Sequence, residues 1–383
     1  MAAVPAVRAL HGLHQSFVLQ QSFRLVSLQL TSTCLSRRLC SAANGPKLPQ
    51  NPENESLLEN LNLMGVDIRT AHQRQPGVFR RLFTNEKVLA QFLKEKGASC
   101  KVIASIVSRF PRSITRSLDH LEQRWQLWRN VFSTDAEIIS ILERSPESFF
   151  RSSDNENLQK NIAFLMSLSL SSKVFHRLMT KAPRTFSNSV ALNKQKVELL
   201  EDICLQLGGK NPQQFAKTII TKNIYVLIMS DKRIQSNVDT LKDFLKLSDS
   251  ALLDLLEGRG AYILDLSSEY LKRNLKTFEQ KMFLLGCDDD EIKKMITKYP
   301  EVLDFGPTTL NAKLDCLLNG GITIKQILEK PKVLDFRVQI IAERLEQLQT
   351  VGYDLKQNGI HILDSSQKRF LEKMNKLSAF NRK

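Results

Sequence analysis

Apolar residues recur along this chain in short groups with the period of a helix, and the groups end alike. In STDAEIISILER (133–144), Ile138, Ile141 and Leu142 fall on one helical face at i, i+3 and i+4. Ser133, Thr134 and Asp135 offer N-caps ahead of them. Pro146 follows; it drives the residue before it out of the α region, so the helix closes. The same proline suits the first position of a new turn, and Phe149 points that turn inward. DDDEI (288–292) and TIKQI (323–327) place Asp or Thr three residues before Glu or Gln, the order of a capping box.

The closing phrase repeats. It reads IVSRFPRSI at 106–114, ILERSPESF at 141–149, LMTKAPRTF at 178–186 and MITKYPEVL at 295–303. HQRQPGVF (72–79) is a weaker copy and ILEKPKVL (327–334) a shortened one. IITKNIYVL (219–227) lacks only the proline, and LLEGRGAYIL (255–264) keeps only the apolar frame. Pro76, Pro111, Pro146 and Pro183 are 35, 35 and 37 residues apart, a period that marks a repeat array. A longer amphipathic stretch such as NLQKNIAFLMSL follows each turn. One such unit cannot bury its apolar face alone, so neighbours must stack. The predicted fold is all-α: a superhelical solenoid of about eight to nine helical repeats of ~35 residues, each two helices plus a short proline-started turn.

The ends of the chain read differently. No Asp or Glu precedes Glu53, while Arg8, Arg24, Arg37 and Arg38 lie among Ser, Leu, Ala and Gln. A basic, acid-free, Ser-rich leader reads as a mitochondrial transit peptide over residues 1–40. Residues 41–56, with GPKLPQNPENES, read as a linker, and a single solenoid is expected over 57–383 with a basic segment at its end. Targeting of this kind implies the mitochondrial matrix.

Charge then narrows the function. The chain carries 55 basic and 40 acidic residues, a net +15; subtracting the leader's four arginines leaves +11. A surplus of that size on an ordered solenoid suggests a nucleic-acid partner. The residue two before the turn is basic in six copies: Arg74, Arg109, Arg144, Lys181, Lys222 and Lys298. Equal phase in stacked repeats means one face, and Arg112, Arg184 and Lys332 widen that stripe. Phosphate contact would explain it. So would the attraction of a cation to the unpaired carbonyls at a helix C-terminus.

Catalytic and cofactor signals are missing. The six histidines stand apart, no CxxC pair supplies a zinc site, and there is no P-loop, GxSxG or HExxH. No enzyme activity, cofactor or metal is expected.

RQPGVF (74–79), ERSPESFFRS (143–152), APRTFSNS (182–189) and ILDLSSEY (263–270), with the leader, resemble the mitochondrial transcription termination factor family. The resemblance implies a left-handed superhelix that binds double-stranded mitochondrial DNA as a monomer. It also implies termination downstream of the ribosomal RNA genes, at a tRNA-leucine gene, by bending and unwinding the duplex and everting bases. The stacking positions carry over to Arg144, Tyr225 and Tyr270, and the base-contacting ones to Arg151, Arg184, Arg233, Lys332 and Arg369. Lys332 stands where the family has arginine, and lysine lacks the bidentate fork suited to guanine. Tyr262 stands where an acidic group is expected. Tyr225 and Tyr270 also suit plain core positions. Other members of the broad family, and pentatricopeptide arrays, act on RNA, so an RNA-binding or ribosome-assembly solenoid is the alternative.

Overall fold

The computed structural model describes residues 52–380. The expected leader, and the expected linker as far as Asn51, lie outside the described residues. The first helix, Glu55–Leu63, starts within the last residues assigned to the linker, because the Asn54 side chain accepts from the Leu57 amide and caps it.

Among the described residues the chain runs as nine successive units and a final helix, Gln367–Phe380, with no strand. Unit 3 shows the construction: a first helix Leu118–Arg129, a second helix Asp135–Arg144, and a short turn Pro146–Phe150. Thr134 caps the second helix by accepting from the Glu137 amide, and Ile138, Ile139, Ile141 and Leu142 are buried. Pro146 opens the turn, and Phe149 and Phe150 are buried within it. The capping boxes at Asp288–Glu291 and Thr323–Gln326 are both formed. In most units the turn is 3-10 helical and starts on proline; among the 3-10 turns, Ile224 and Arg259 open the two without proline. Gly260 is required in the latter, because a Cβ there would sit 2.7 Å from the Leu255 carbonyl oxygen.

First helices pack on first helices, second on second, and turns on turns, so three rows run along the array. Residues from Pro52 onward form one compact unit. No helix among the described residues is long and apolar enough to cross a membrane.

A buried polar residue recurs in the first helix of units 3 to 9. Counted seven residues past each N-cap, it is Arg124, Asn161, Lys196, Asn237, Asn274, Lys313 and Arg344, all buried. Six of the seven donate to carbonyls at or just after their own unit's turn. Arg124 reaches the Phe149 oxygen at 2.6 Å, and Asn274 reaches Leu303 and Phe305 at 2.8 and 3.0 Å. Asn237 serves Ile263, Leu264 and Leu266; Asn161 serves Asn188; Lys313 serves Leu334; Arg344 serves Leu363 and Ser365. Lys196 instead pairs with the Asp231 carboxylate. In units 1 and 2 the cap residue does the work, with the Asn54 and Asn85 amides donating to Arg81 and Arg116 carbonyls.

Replacing Asn237 with Ala is expected to leave these buried carbonyls without a donor and to cost about 1–3 kcal/mol, read by denaturant unfolding. A stability equal to the wild type would show that the ladder does not hold the turns.

Candidate nucleic-acid interface

Each second helix finishes, passes through its turn and hands on to the next first helix at one edge of the array. Every residue singled out from the sequence lies at that edge. Arg74, Arg109, Arg144, Lys181, Lys222 and Lys298 stand in the last turns of second helices. Arg112, Arg184, Tyr225 and Lys332 lie in the short turns, and Arg151 caps one. Arg233, Tyr270 and Arg369 are each the third residue of a first or final helix. The opposite edge carries the tight reversals between first and second helices, where Gly208 and Gly286 take left-handed φ values of 75° and 85°.

The stripe is real but partly committed. The Arg109 guanidinium donates to the Glu143 and Arg144 carbonyls of the next unit. Lys222 Nζ donates to Glu257 and Gly258, and Lys298 Nζ to Glu329 at 2.8 Å. Arg177, which the sequence reading missed, does the same to Thr221 at 3.1 Å. These cations cap the neighbour's helix C-terminus, a version of the dipole explanation acting between units rather than within one. Arg109, Lys222 and Lys298 thus have carbonyl partners within the array. Arg74, Arg112 and Lys181 are exposed.

The three expected stacking residues belong to units 3, 5 and 7. Arg144 is exposed, and its Nε donates back to the Ser140 carbonyl at 3.2 Å. Tyr225 is half-buried against the core. The Tyr270 hydroxyl donates to the Asp304 carbonyl at 2.8 Å, with the Arg273 guanidinium 5.1 Å from its ring. Arg151 lies 3.8 Å from Glu147, Arg233 Nη1 is 2.9 Å from the Met229 sulfur, and Arg184, Lys332 and Arg369 are exposed. Tyr262 is about half exposed at 51%.

Units 6 to 8 add acidic groups to the edge that no sequence pattern had marked as functional. Arg259 pairs with Glu301 at 2.6 Å and covers the Tyr299 ring, whose hydroxyl is bonded to Asp335. The Asp265 carboxylate accepts from Asn223 at 3.1 Å, with the charges of Arg233 and Asp304 nearby. Burial, opposed by the Asn223 hydrogen bond, pushes its pKa up to about 6. Asp265 in turn helps burial to raise the Tyr225 phenol.

Helix–helix–turn units stacked into one array, with a basic turn edge, define a helical-repeat solenoid. The chain belongs to the mTERF family, whose profile matches residues 58–371. Over 328 residues it is 48% identical to "Transcription termination factor 1, mitochondrial" of Homo sapiens, covering 86% of this chain and 82% of that protein. The Rattus norvegicus protein of the same name is 47% identical, over 85% of this chain and 87% of its own. "Transcription termination factor 2, mitochondrial" of Mus musculus is 30% identical over 88% of this chain and 86% of its own.

Asp265 gives a pH-dependent expectation. Its folded pKa, about 6, lies above the ordinary 3.8, so its contribution to stability is full below pH 3.8 and is lost as pH rises through 6. Asp265→Asn keeps an acceptor for Asn223 and is expected to stabilise the fold at pH 8 by on the order of 2 kcal/mol. The gain should vanish near pH 4; equal unfolding curves for both proteins at pH 8 would refute the assignment.

Proposed function

We propose that this protein binds duplex DNA in the mitochondrial matrix and terminates transcription there. The observation that carries the reading is the 48% identity, over most of both chains, to a protein named for mitochondrial transcription termination. The turn edge supports it: one side of the array gathers Arg74, Arg112, Arg144, Arg151, Lys181, Arg184, Lys332 and Arg369, all exposed, along a path of repeating units. Phosphates supply most of the affinity, and the arginines in the turns read base edges. The site is the tRNA-leucine gene beyond the ribosomal RNA genes, and the protein acts there as a monomer. Residues 1–40 direct import; deleting them should keep the protein out of mitochondria in a cell fractionation, and matrix accumulation of the truncated form would exclude this role.

Arg144, Tyr225 and Tyr270 stack on unpaired bases in the distorted duplex, each worth about 1–3 kcal/mol. Separating the bases costs a few kcal/mol, so the two nearly cancel and eversion holds the site rather than tightening it. A footprint on mitochondrial DNA with run-off transcription tests the whole reading. The wild type should protect a defined duplex site and stop the polymerase, and preference for single-stranded RNA would favour the RNA-binding alternative. The Arg144→Ala, Tyr225→Ala, Tyr270→Ala triple variant should still bind DNA, with a slope of affinity against salt like the wild type's, yet let the polymerase through. Tyr270→Phe separates ring from hydroxyl: it loses the Asp304 hydrogen bond and should still terminate. Normal termination by the triple variant would reassign all three residues to packing.

A further inference from the structure

The connection from the first unit to the second departs from the pattern of the array. Between turn and next helix the other units use two residues, as at 116–117 and 188–189, or four in unit 3, at 151–154. After the turn Pro76–Val78 the next helix begins only at Glu86, so seven residues, 79–85, fill the gap. They include the sequence Arg80-Arg81-Leu82-Phe83. Phe79 is buried, but Leu82 is 77% and Phe83 90% exposed, and both arginines face solvent.

The segment is fastened on both sides. The Asn54 backbone amide donates to the Phe79 carbonyl at 2.8 Å, and its side chain donates to Arg81 at 2.9 Å. The Asn85 amide donates to the Ile114 carbonyl at 2.7 Å, and its side chain donates to Arg116 at 3.0 Å. Single exposed apolar residues are ordinary. Two large ones at the tip of a fastened extra loop, beside two arginines, are presented rather than left over.

The surroundings are cationic. Arg81 and Arg112 both lie close enough to Arg116 to disfavour its charge, alongside burial. One Arg116 nitrogen donates to the Phe150 carbonyl at 2.9 Å, and its buried Nε has no hydrogen-bond partner. The nearby carboxylate of Glu86 is taken up by Asn60 and Thr84. Like charges held together by the fold call for an anion, and this loop lies on the same turn edge as the candidate interface.

The geometry points to Arg80–Phe83 as a further duplex-DNA contact at the N-terminal end of that edge. Arg80 and Arg81 hold phosphates, and Leu82 and Phe83 wedge against a base step in the minor groove, as apolar side chains of DNA-bending proteins do. The inference rests on the proposed function, since the duplex must run along the turn edge to reach the loop.

The test uses the full chain with two variants, Arg80→Ala/Arg81→Ala and Leu82→Ser/Phe83→Ser. The arginine variant should flatten the slope of log affinity against log salt by about two, one per phosphate contact, and lose protection at one end of the footprint. The apolar variant should keep the slope and reduce the bend of end-labelled DNA, read by energy transfer. Both should melt like the wild type, because all four side chains are exposed. A wild-type footprint with unchanged end, slope and bend in both variants overturns this contact alone. A lower melting temperature with an unchanged footprint makes the loop structural and overturns it too. No wild-type footprint on any duplex overturns the proposed function along with it.

Discussion

The array depends on one recurring need: the carbonyls of a short, tight turn must find donors away from water. A 3-10 turn sandwiched between helices leaves oxygens that no helix of its own satisfies, and an unmet buried acceptor is costly. The first helix answers with a buried side chain two turns past its N-cap. Asn serves at 161, 237 and 274, and a cation at 124, 313 and 344. The cations need more than carbonyls to tolerate burial. Arg344 lies between Phe336 and Phe370, at 4.3 and 4.7 Å from the ring centres, and Lys313 sits 3.9 Å from the Phe305 centre. The turn edge is therefore held from inside.

The same logic, turned along the axis, governs the basic stripe. Arg109, Lys222 and Lys298 each reach into the next unit and cap a helix end there. A cation so placed offsets the partial negative charge of the carbonyls while keeping its positive field at the edge. Stacking of the units thus draws on the same side chains that give the edge its positive charge. That is why periodicity alone did not separate the two explanations: both require a cation at the end of the second helix.

The array is not uniform. Unit 3 is locked by aromatics, with Trp125 and Trp128 both edge-on to Phe149. Units 6 to 8 replace such packing with charge: Arg259, Glu301, Tyr299 and Asp335 link three successive turns. Asp265 and Asp304 bring negative charge to the side where Arg233 and Tyr270 stand. The edge is therefore not uniformly basic: carboxylates sit among its cations in units 6 to 8.

The sequence by itself determined the helices, their caps, the proline-started turns, the period and the basic phase. All are local: a cap acts over three residues, a proline over one, and an apolar face over a few turns. Through resemblance it also singled out Arg144, Tyr225 and Tyr270, which lie at the end of a second helix, in a turn and at the start of a first helix. Only the tertiary structure decided that Arg109 serves Glu143 and Arg144, that Asn237 serves the turn near 263–266, and that Asp265 lies among Asn223, Arg233 and Asp304. Those pairings join residues 26 to 42 positions apart, and a side chain's partner at that range is set by how the helices of a unit fold on its turn and how units stack. The seven-residue spacing from cap to buried donor was written in the chain from the third unit onward. It was not legible there because an asparagine or lysine in a helix reads as solvent-facing until its burial is seen.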